Sequence, residues 1–410
     1  MALIHPFRAL RPRASEADRV AAVPYDVVNT DEARALANDN PLSFLRVSRA
    51  ELELPADTDP YAPAVYDRAV DNFARLRDAA LVVEDEPTLY LYRLRMGDHQ
   101  QLGLAGCFSL DEYDRDIVKK HERTRRDKED DRTRHMLALG AQTGPVCLTY
   151  RATADVNDIA VRRTQDAPLF DFAAADGVQH TVWRVSGPDR MALVNAFSRI
   201  PTLYIADGHH RAASAARART EIRDGRHQGQ SLGDGADFDT FLAVAFPHDQ
   251  VQILPYNRIV KDLGGLTEHD FMHAVHERFT VQAGPPAPRQ RGDIAMYFHR
   301  HWQTLQPKVA PDRRNAIASL DVSVLQDNLL APVLNIADIR TDKRIDFVGG
   351  ARGTSELEKH VNSGKAAVAF SLYPVGVDEL MAVSDAGDIM PPKSTWFEPK
   401  LRDGLLIHLI

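Results

Sequence analysis

Residues 202–216 read Thr-Leu-Tyr-Ile-Ala-Asp-Gly-His-His-Arg-Ala-Ala-Ser-Ala-Ala. An apolar run ends in Asp207-Gly208, passes two histidines and Arg211, and enters an alanine-rich stretch of helix-forming composition. This order predicts a strand, a sharp turn at Gly208 and a helix start. A helix start offers unpaired N–H groups and the positive end of its dipole, a site suited to phosphate. Arg211 adds a two-pronged guanidinium donor, and His209 and His210 add further donors. Asp207 could hold a metal or orient a hydroxyl. In the competing reading Asp207 simply caps the helix and the histidines satisfy local backbone groups. Adjacent histidines on a helix point about 100° apart, which argues against their sharing a metal.

Two further segments could do chemistry. In Lys119-Lys-His121-Glu122-Arg-Thr124 an acid sits among bases, a setting for an ionised general base beside an anionic substrate. The same residues, continuing through Lys128, Asp131 and Arg132, could equally form a solvated helix laced with ion pairs one turn apart. Residues 390–400, Met-Pro-Pro-Lys-Ser-Thr-Trp-Phe-Glu-Pro-Lys, combine stiff prolines with Lys393, Lys400 and two aromatics. They could wall a nucleotide, with lysines toward phosphate and aromatics stacked on the base, or form a surface loop pinned by Trp396 and Phe397. The loop Pro24-Tyr25-Asp26 is a weaker signal of the same kind.

These segments must be held by a chain of 410 residues with 44% hydrophobic and 26% charged side chains. That mixture builds a sizeable core and excludes wholesale disorder, collagen and coiled-coil rods. A net charge of −8 argues against holding nucleic acid by bulk electrostatics. Cys107 and Cys147 are too few for a disulfide framework and read as small buried hydrophobes. No apolar run approaches the ~18 residues of a membrane span, and no leader pattern opens the chain, so a soluble cytoplasmic protein is expected. A dinucleotide-type G-x-G-x-x-G, a Walker A loop, H-E-x-x-H, G-x-S-x-G and the protein-kinase signatures are all missing; Arg125 stands where the second histidine of H-E-x-x-H would be.

Periodicity and turn residues place the elements. Residues 20–28 read as strand and loop, Thr30 as the cap of a helix, residues 43–48 as a strand, and residues 60–80 as a helix with Val65, Ala69, Phe73 and Leu76 on one face. Residues 88–96 and 101–110 form a hairpin about Gly97-Asp98. A short strand and a helix from about Arg125 follow in the charged block. Strands are expected at 146–150, 178–185, 202–205, 241–246 and 251–259, with a helix at 188–197. Residues 217–237 read as a helix end and an exposed loop. Thr267 caps a helix reaching Phe279, 294–299 and 302–307 pair as a hairpin, and 322–334 read as an amphipathic helix. Strands at 345–348 and 366–372 flank a helix near 355–361, and 405–410 close the chain as a strand. Interleaved short strands, hairpins and helices predict an α+β (mixed α/β) fold rather than a doubly wound one.

Taken together, Pro6-Phe-Arg8, Pro24-Tyr-Asp26, His121-Glu-Arg-Thr124, Asp207-Gly-His-His-Arg211, Phe347-Val-Gly-Gly350 and residues 390–397 resemble the bacterial domain-of-unknown-function family 1015 (DUF1015) over nearly the full length. Asp207–Arg211 is also similar to the corresponding segment of SerK-type free serine kinases of the ParB/sulfiredoxin-like superfamily, a match confined to a minority of the chain. That resemblance implies a ParB/sulfiredoxin-like nucleotide-binding core at 116–283, between an N-terminal α+β region at 1–115 and a C-terminal α+β region at 284–410 closing the site. It implies a phosphotransferase making O-phosphoserine from free L-serine, with ATP or ADP as donor and Mg2+ as cofactor. Related members hold phosphates on a Gly-x-x-Arg turn, matched here by Gly208, His209, His210 and Arg211, with Lys393 and Lys400 as further phosphate ligands. Glu122 takes the place of the kinases' base, His121 and Thr124 bind substrate, and Asp207 is catalytic or binds the metal or the serine amine. Sulfiredoxin members carry a cysteine in the turn; histidines here count against sulfinic acid chemistry. The alternative is a ParB-like nucleotide-binding regulator or nucleotide hydrolase with no metabolite kinase activity, for which Glu122 would be dispensable in binding.

Overall fold

The structure, a computed structural model, describes residues 2–225, 237–312 and 314–410. It is α+β and divides into two compact units. Unit 1 comprises Met1–Lys120, Thr124–Val251 and Pro399–Ile410; unit 2 comprises His121–Arg123 and Gln252–Glu398. The Pro-rich stretch at 284–288 is a loop within a single sheet, leading from strand Phe279–Ala283 toward strand Ile294–Phe298.

Unit 1 is built on a nine-stranded mixed sheet. Its order runs Val118–Lys119, Leu203–Asp207, Val146–Tyr150, Thr240–Pro247, His99–Ser109, Leu89–Met96, Gln179–Val185 and Phe170–Ala173, with Ile4–His5 paired to His99–Ser109. The hairpin closes as expected, with Met96 opposite His99 and Gly97 in the left-handed region that a two-residue turn requires. Helices Arg126–Leu139 and His209–Arg223 pack together, joined by Arg217 to Glu129 and Asp130. A main core gathers Leu91, Phe108, Leu148, Phe197, Ile205 and Phe241, and a second core holds Phe44, Val65, Phe73, Leu76 and Ile407.

Several local expectations fail for physical reasons. Residues 43–48 are not a strand; Leu45–Ser48 is a helical turn whose apolar residues fill the second core against helix Pro63–Ala80. Six residues with three apolar side chains are too few for periodicity to separate a strand from a buried turn. Residues 20–28 contain no strand beyond an isolated bridge from Ala22 to Asp403. Residues 322–334 begin as helix Asp321–Leu325 and widen into a π turn at Gln326–Leu330; the first five are buried all round, so no amphipathic helix forms. The closing strand shrinks to His408–Leu409, paired with Ala141–Gln142. Of the expected loop at 217–237, helix His209–Arg223 takes the beginning and residues 226–236 lie outside the described residues. Helices Ala154–Arg163 and Val377–Asp385 and strand Phe170–Ala173 were not foreseen.

Unit 2 is a six-stranded antiparallel sheet in the order Phe279–Ala283, His301–Pro307, Ile294–Phe298, Val368–Leu372, Tyr256–Val260 and Ile345–Gly349. Thr267 caps helix Glu268–Arg278 through the Asp270 N–H, as its hydroxyl and position predict. Among the described residues, no helix is long and apolar enough to cross a membrane. Both cysteines are buried thiols; burial pushes Cys147 up to about 12 and Cys107 well above its ordinary value.

Candidate functional site

The strongest assembly of expected residues lies in unit 1, where strand Leu203–Asp207 ends. Gly208 follows with φ +92°, a conformation that suits glycine, and helix His209–Arg223 begins at once. A β-carbon at Gly208 would lie 2.9 Å from Arg211 Nε, so the guanidinium is packed directly against the turn. Arg211 therefore points inward. It donates through Nη1 to the Pro145 carbonyl and through Nη2 to Asp207 Oδ2 at 3.1 Å, and it is only 9% exposed. The two-pronged grip on a ligand phosphate expected of Arg211 is thus occupied by the protein's own oxygens.

Lys400 reaches the same carboxylate, with Nζ 3.6 Å from Asp207 Oδ2. Burial raises the Asp207 carboxyl, but Lys400, then Arg211 and His209, more than offset it and hold it at about 2. One carboxylate is held between two cations, Lys400 and Arg211, with Asp26 and Asp403 also close enough to act on Arg211. That pairing does not fit a carboxylate free to ligate Mg2+, and among the described residues no group of three histidine, cysteine or acidic side chains is arranged to hold a metal. His210 uses Nε2 to accept the Arg125 N–H at 3.0 Å, tying the turn to the start of helix Arg126–Leu139. Thr124, also expected to bind substrate, donates its hydroxyl to Glu129, which Arg217 also contacts.

Unit 2 holds the other expected residues. His121 is buried; its carbonyl accepts from the Met390 N–H at 2.8 Å, and its Nε2 lies 3.4 Å from the Thr395 hydroxyl. The segment carrying half-buried Glu122 is thereby fastened to the 390–395 loop. Lys393 has φ +59°, gives its carbonyl to Arg258 Nη2, and sets Nζ 5.5 Å from the centre of the Tyr256 ring. Trp396 meets the same tyrosine edge-on and packs on Gly349.

Sequence reasoning missed a buried polar network beside Arg211. Tyr25, Arg132, His135, Gln142, Arg211 and Asp403 line a cavity of about 40 Å³ in unit 1. The Arg132 guanidinium stacks 4.2 Å over the Tyr25 ring and pairs with Asp131, which accepts from Tyr66. In the sequence Asp403 shows only as one of the charged pair Arg402-Asp403 ahead of Gly404, which by itself does not point to a buried site.

Burial pushes the Asp403 carboxyl up to about 7, against Arg211, Arg132 and Arg402 and with Asp26. The unfolded carboxyl titrates near ~4. Folded Asp403 thus keeps a proton that the unfolded chain loses; its stabilisation is full below about pH 4 and is lost as pH rises to 7. His135 acts oppositely. Burial, then Arg132, lowers its ring to about 4, so its contribution is full above roughly pH 6.5 and is lost as pH falls to 4. Asp403→Asn, which is neutral at every pH, is expected to remove the component of melting temperature that declines from pH 4 to 7. Thermal melts across that range measure it, and a slope identical to wild type would refute the protonated assignment.

Fold and site thus define a two-unit α+β protein with a strand–glycine–helix turn in unit 1 and a buried polar network beside Arg211. The chain belongs to the family described as protein of unknown function (DUF1015), whose profile matches residues 4–323. Among curated proteins, none matches significantly. Among solved structures, the chain is similar to a free serine kinase in complex with AMP, with 14% identity and TM-score 0.37 over 73% of this chain and 92% of that one. It is similar to SbnI with C-terminal truncation from Staphylococcus aureus, with 13% identity and TM-score 0.40 over 74% and 87%. A conserved hypothetical protein from Pyrococcus furiosus gives 13% identity and TM-score 0.35 over 74% and 95%.

Proposed function

We propose that the protein is a nucleotide-dependent small-molecule phosphotransferase that phosphorylates the hydroxyl of free L-serine. The observation that carries this reading is the start of helix His209–Arg223. It follows a left-handed glycine directly, and Lys400 and Arg211 both pair with Asp207 there. Helix N–H groups with a lysine beside them favour the phosphates of ATP or ADP. Arg211 acts by position: it holds Asp207 and the turn from beneath, and the helix start and Lys400 contact the phosphates. The similarity of Asp207–Arg211 to the SerK-type segment supports serine as the acceptor, with Glu122 as the base that takes the hydroxyl proton. His121 positions Glu122 through its bonds to the 390–395 loop. Phosphoryl transfer asks mainly for positioning and charge neutralisation, which these residues supply without a covalent intermediate. A divalent cation enters this reading only on the nucleotide's own phosphate oxygens, because Asp207 is already neutralised by Lys400 and Arg211.

The test is phosphorus NMR and mass spectrometry after incubating the full chain with ATP or ADP, Mg2+ and an amino-acid pool. Phosphoserine is the expected product. Nucleotide binding with no phosphorylated metabolite would replace the reading with a nucleotide-binding regulator.

A further inference from the structure

Lys400 stands two residues from a second buried polar chain of unit 1. Arg402, 3% exposed, donates through Nε to His180 Nε2 at 3.1 Å and through Nη2 to Asp176. On the far side of the ring, His180 Nδ1 lies 2.8 Å from the Tyr92 hydroxyl. His180 and Tyr92 are buried on the paired strands Gln179–Val185 and Leu89–Met96, and Asp176 sits in the turn before the first of these. Phe172 stacks on the imidazole at 5.5 Å and fixes its plane. A guanidinium has donors only, so His180 Nε2 must accept. The ring is therefore neutral, with its proton on Nδ1 and donated to Tyr92. Burial, then Arg402, holds it in that form by lowering its pKa well below the ordinary value. Such a chain costs desolvation that an apolar filling would avoid; in return it selects one arrangement of the parts it joins.

The part it joins to the sheet is the segment 399–403. Asp403 is fixed at the far end of that segment by backbone hydrogen bonds in both directions with Ala22. Arg402 is fixed by His180 and Asp176. Lys400 has a flexible four-carbon stem, so the place of its ammonium depends on how firmly the backbone beside it is held. Its Nζ stands 3.6 Å from Asp207 Oδ2, at the strand end that leads into the helix start. We propose that His180 is a positioning residue for the helix start: by clamping Arg402 it sets where Lys400 Nζ stands beside Asp207. The inference deepens the proposed function and rests on that reading for the contact between Lys400 and the phosphates.

Isothermal titration of ADP into the full chain tests it, with His180→Phe, His180→Gln, Arg402→Lys and Lys400→Met as variants and a double-mutant cycle between His180→Phe and Lys400→Met. His180→Phe keeps a ring but removes the acceptor, and is expected to weaken ADP about tenfold. His180→Gln, whose amide oxygen can accept from Arg402 Nε, should restore most of that affinity. Arg402→Lys keeps a charge for Asp176 but loses the fork. It should weaken ADP to a similar degree, and it carries the test where circular dichroism shows that His180→Phe does not fold. In the Lys400→Met background His180→Phe should lose no further affinity, because the group it positions is already gone. A merely structural His180 would weaken binding by the same factor in both backgrounds, which would overturn the inference. Wild-type ADP affinity in folded His180→Phe would overturn it too. So would wild-type affinity in Lys400→Met, since His180 would then have nothing to position. The full cycle as expected, with no phosphoserine formed by wild type, would uphold the inference and sink the phosphotransferase reading instead.

Discussion

Glu122→Gln is expected to lower phosphoserine formation by about 10²-fold or more, the usual scale for a positioned base, with nucleotide affinity preserved or slightly raised. The amide keeps the shape of the side chain but cannot accept the serine proton. The neighbouring His121 is buried and bonded through its carbonyl to Met390, so the substitution should leave the segment in place. Initial rates of phosphoserine production and a nucleotide titration on the same preparation separate the two effects. Unchanged turnover would remove Glu122 from the reaction. Asp207 would be a poor replacement, because Lys400, Arg211 and His209 hold its carboxyl at about 2, too acidic to draw a proton from a hydroxyl.

Arg211→Ala should act on both stability and binding. The sequence alone predicts loss of a phosphate contact with the fold intact. The structure changes that expectation, because the guanidinium is buried and holds Asp207 and the Pro145 carbonyl. Hydrogen bonds to charged groups contribute roughly 1.5–3 kcal/mol each. Lys400 remains to compensate Asp207, but the Pro145 carbonyl loses the Arg211 donor. A clear fall in melting temperature is therefore expected, together with nucleotide affinity weakened by about tenfold or more as the turn loses its support. Binding is measured well below the mutant's melting temperature, so that unfolding does not mimic it. Wild-type nucleotide affinity in the folded mutant would show that the turn is not the phosphate site. Arg211→Lys, which keeps the charge but lacks the fork, should fall between the two.

Elements whose signals are local are legible from residue order alone. The hairpin about Gly97, helix Pro188–Phe197 with its leading proline, the Thr267 cap and the strand–turn–helix at Asp207–Arg211 all follow from backbone preference and periodicity within a few residues. The α+β class and the chemical character of the Asp207–Arg211 motif were legible for the same reason. Tertiary structure decided what depends on partners. Whether residues 43–48 are strand or helical turn was settled by the core that Phe44, Leu45 and Val47 fill, since six residues are too few for periodicity to separate the two. The direction of Arg211 was settled by the Pro145 carbonyl, 66 positions away, and the state of Asp207 by Lys400, which the chain brings back only after passing through unit 2. Asp403 and the cavity beside it could not be read from the sequence. A buried carboxyl owes its protonation to desolvation and to charges at Arg211, Asp26, Arg132 and Arg402, and only folding brings those distant segments together.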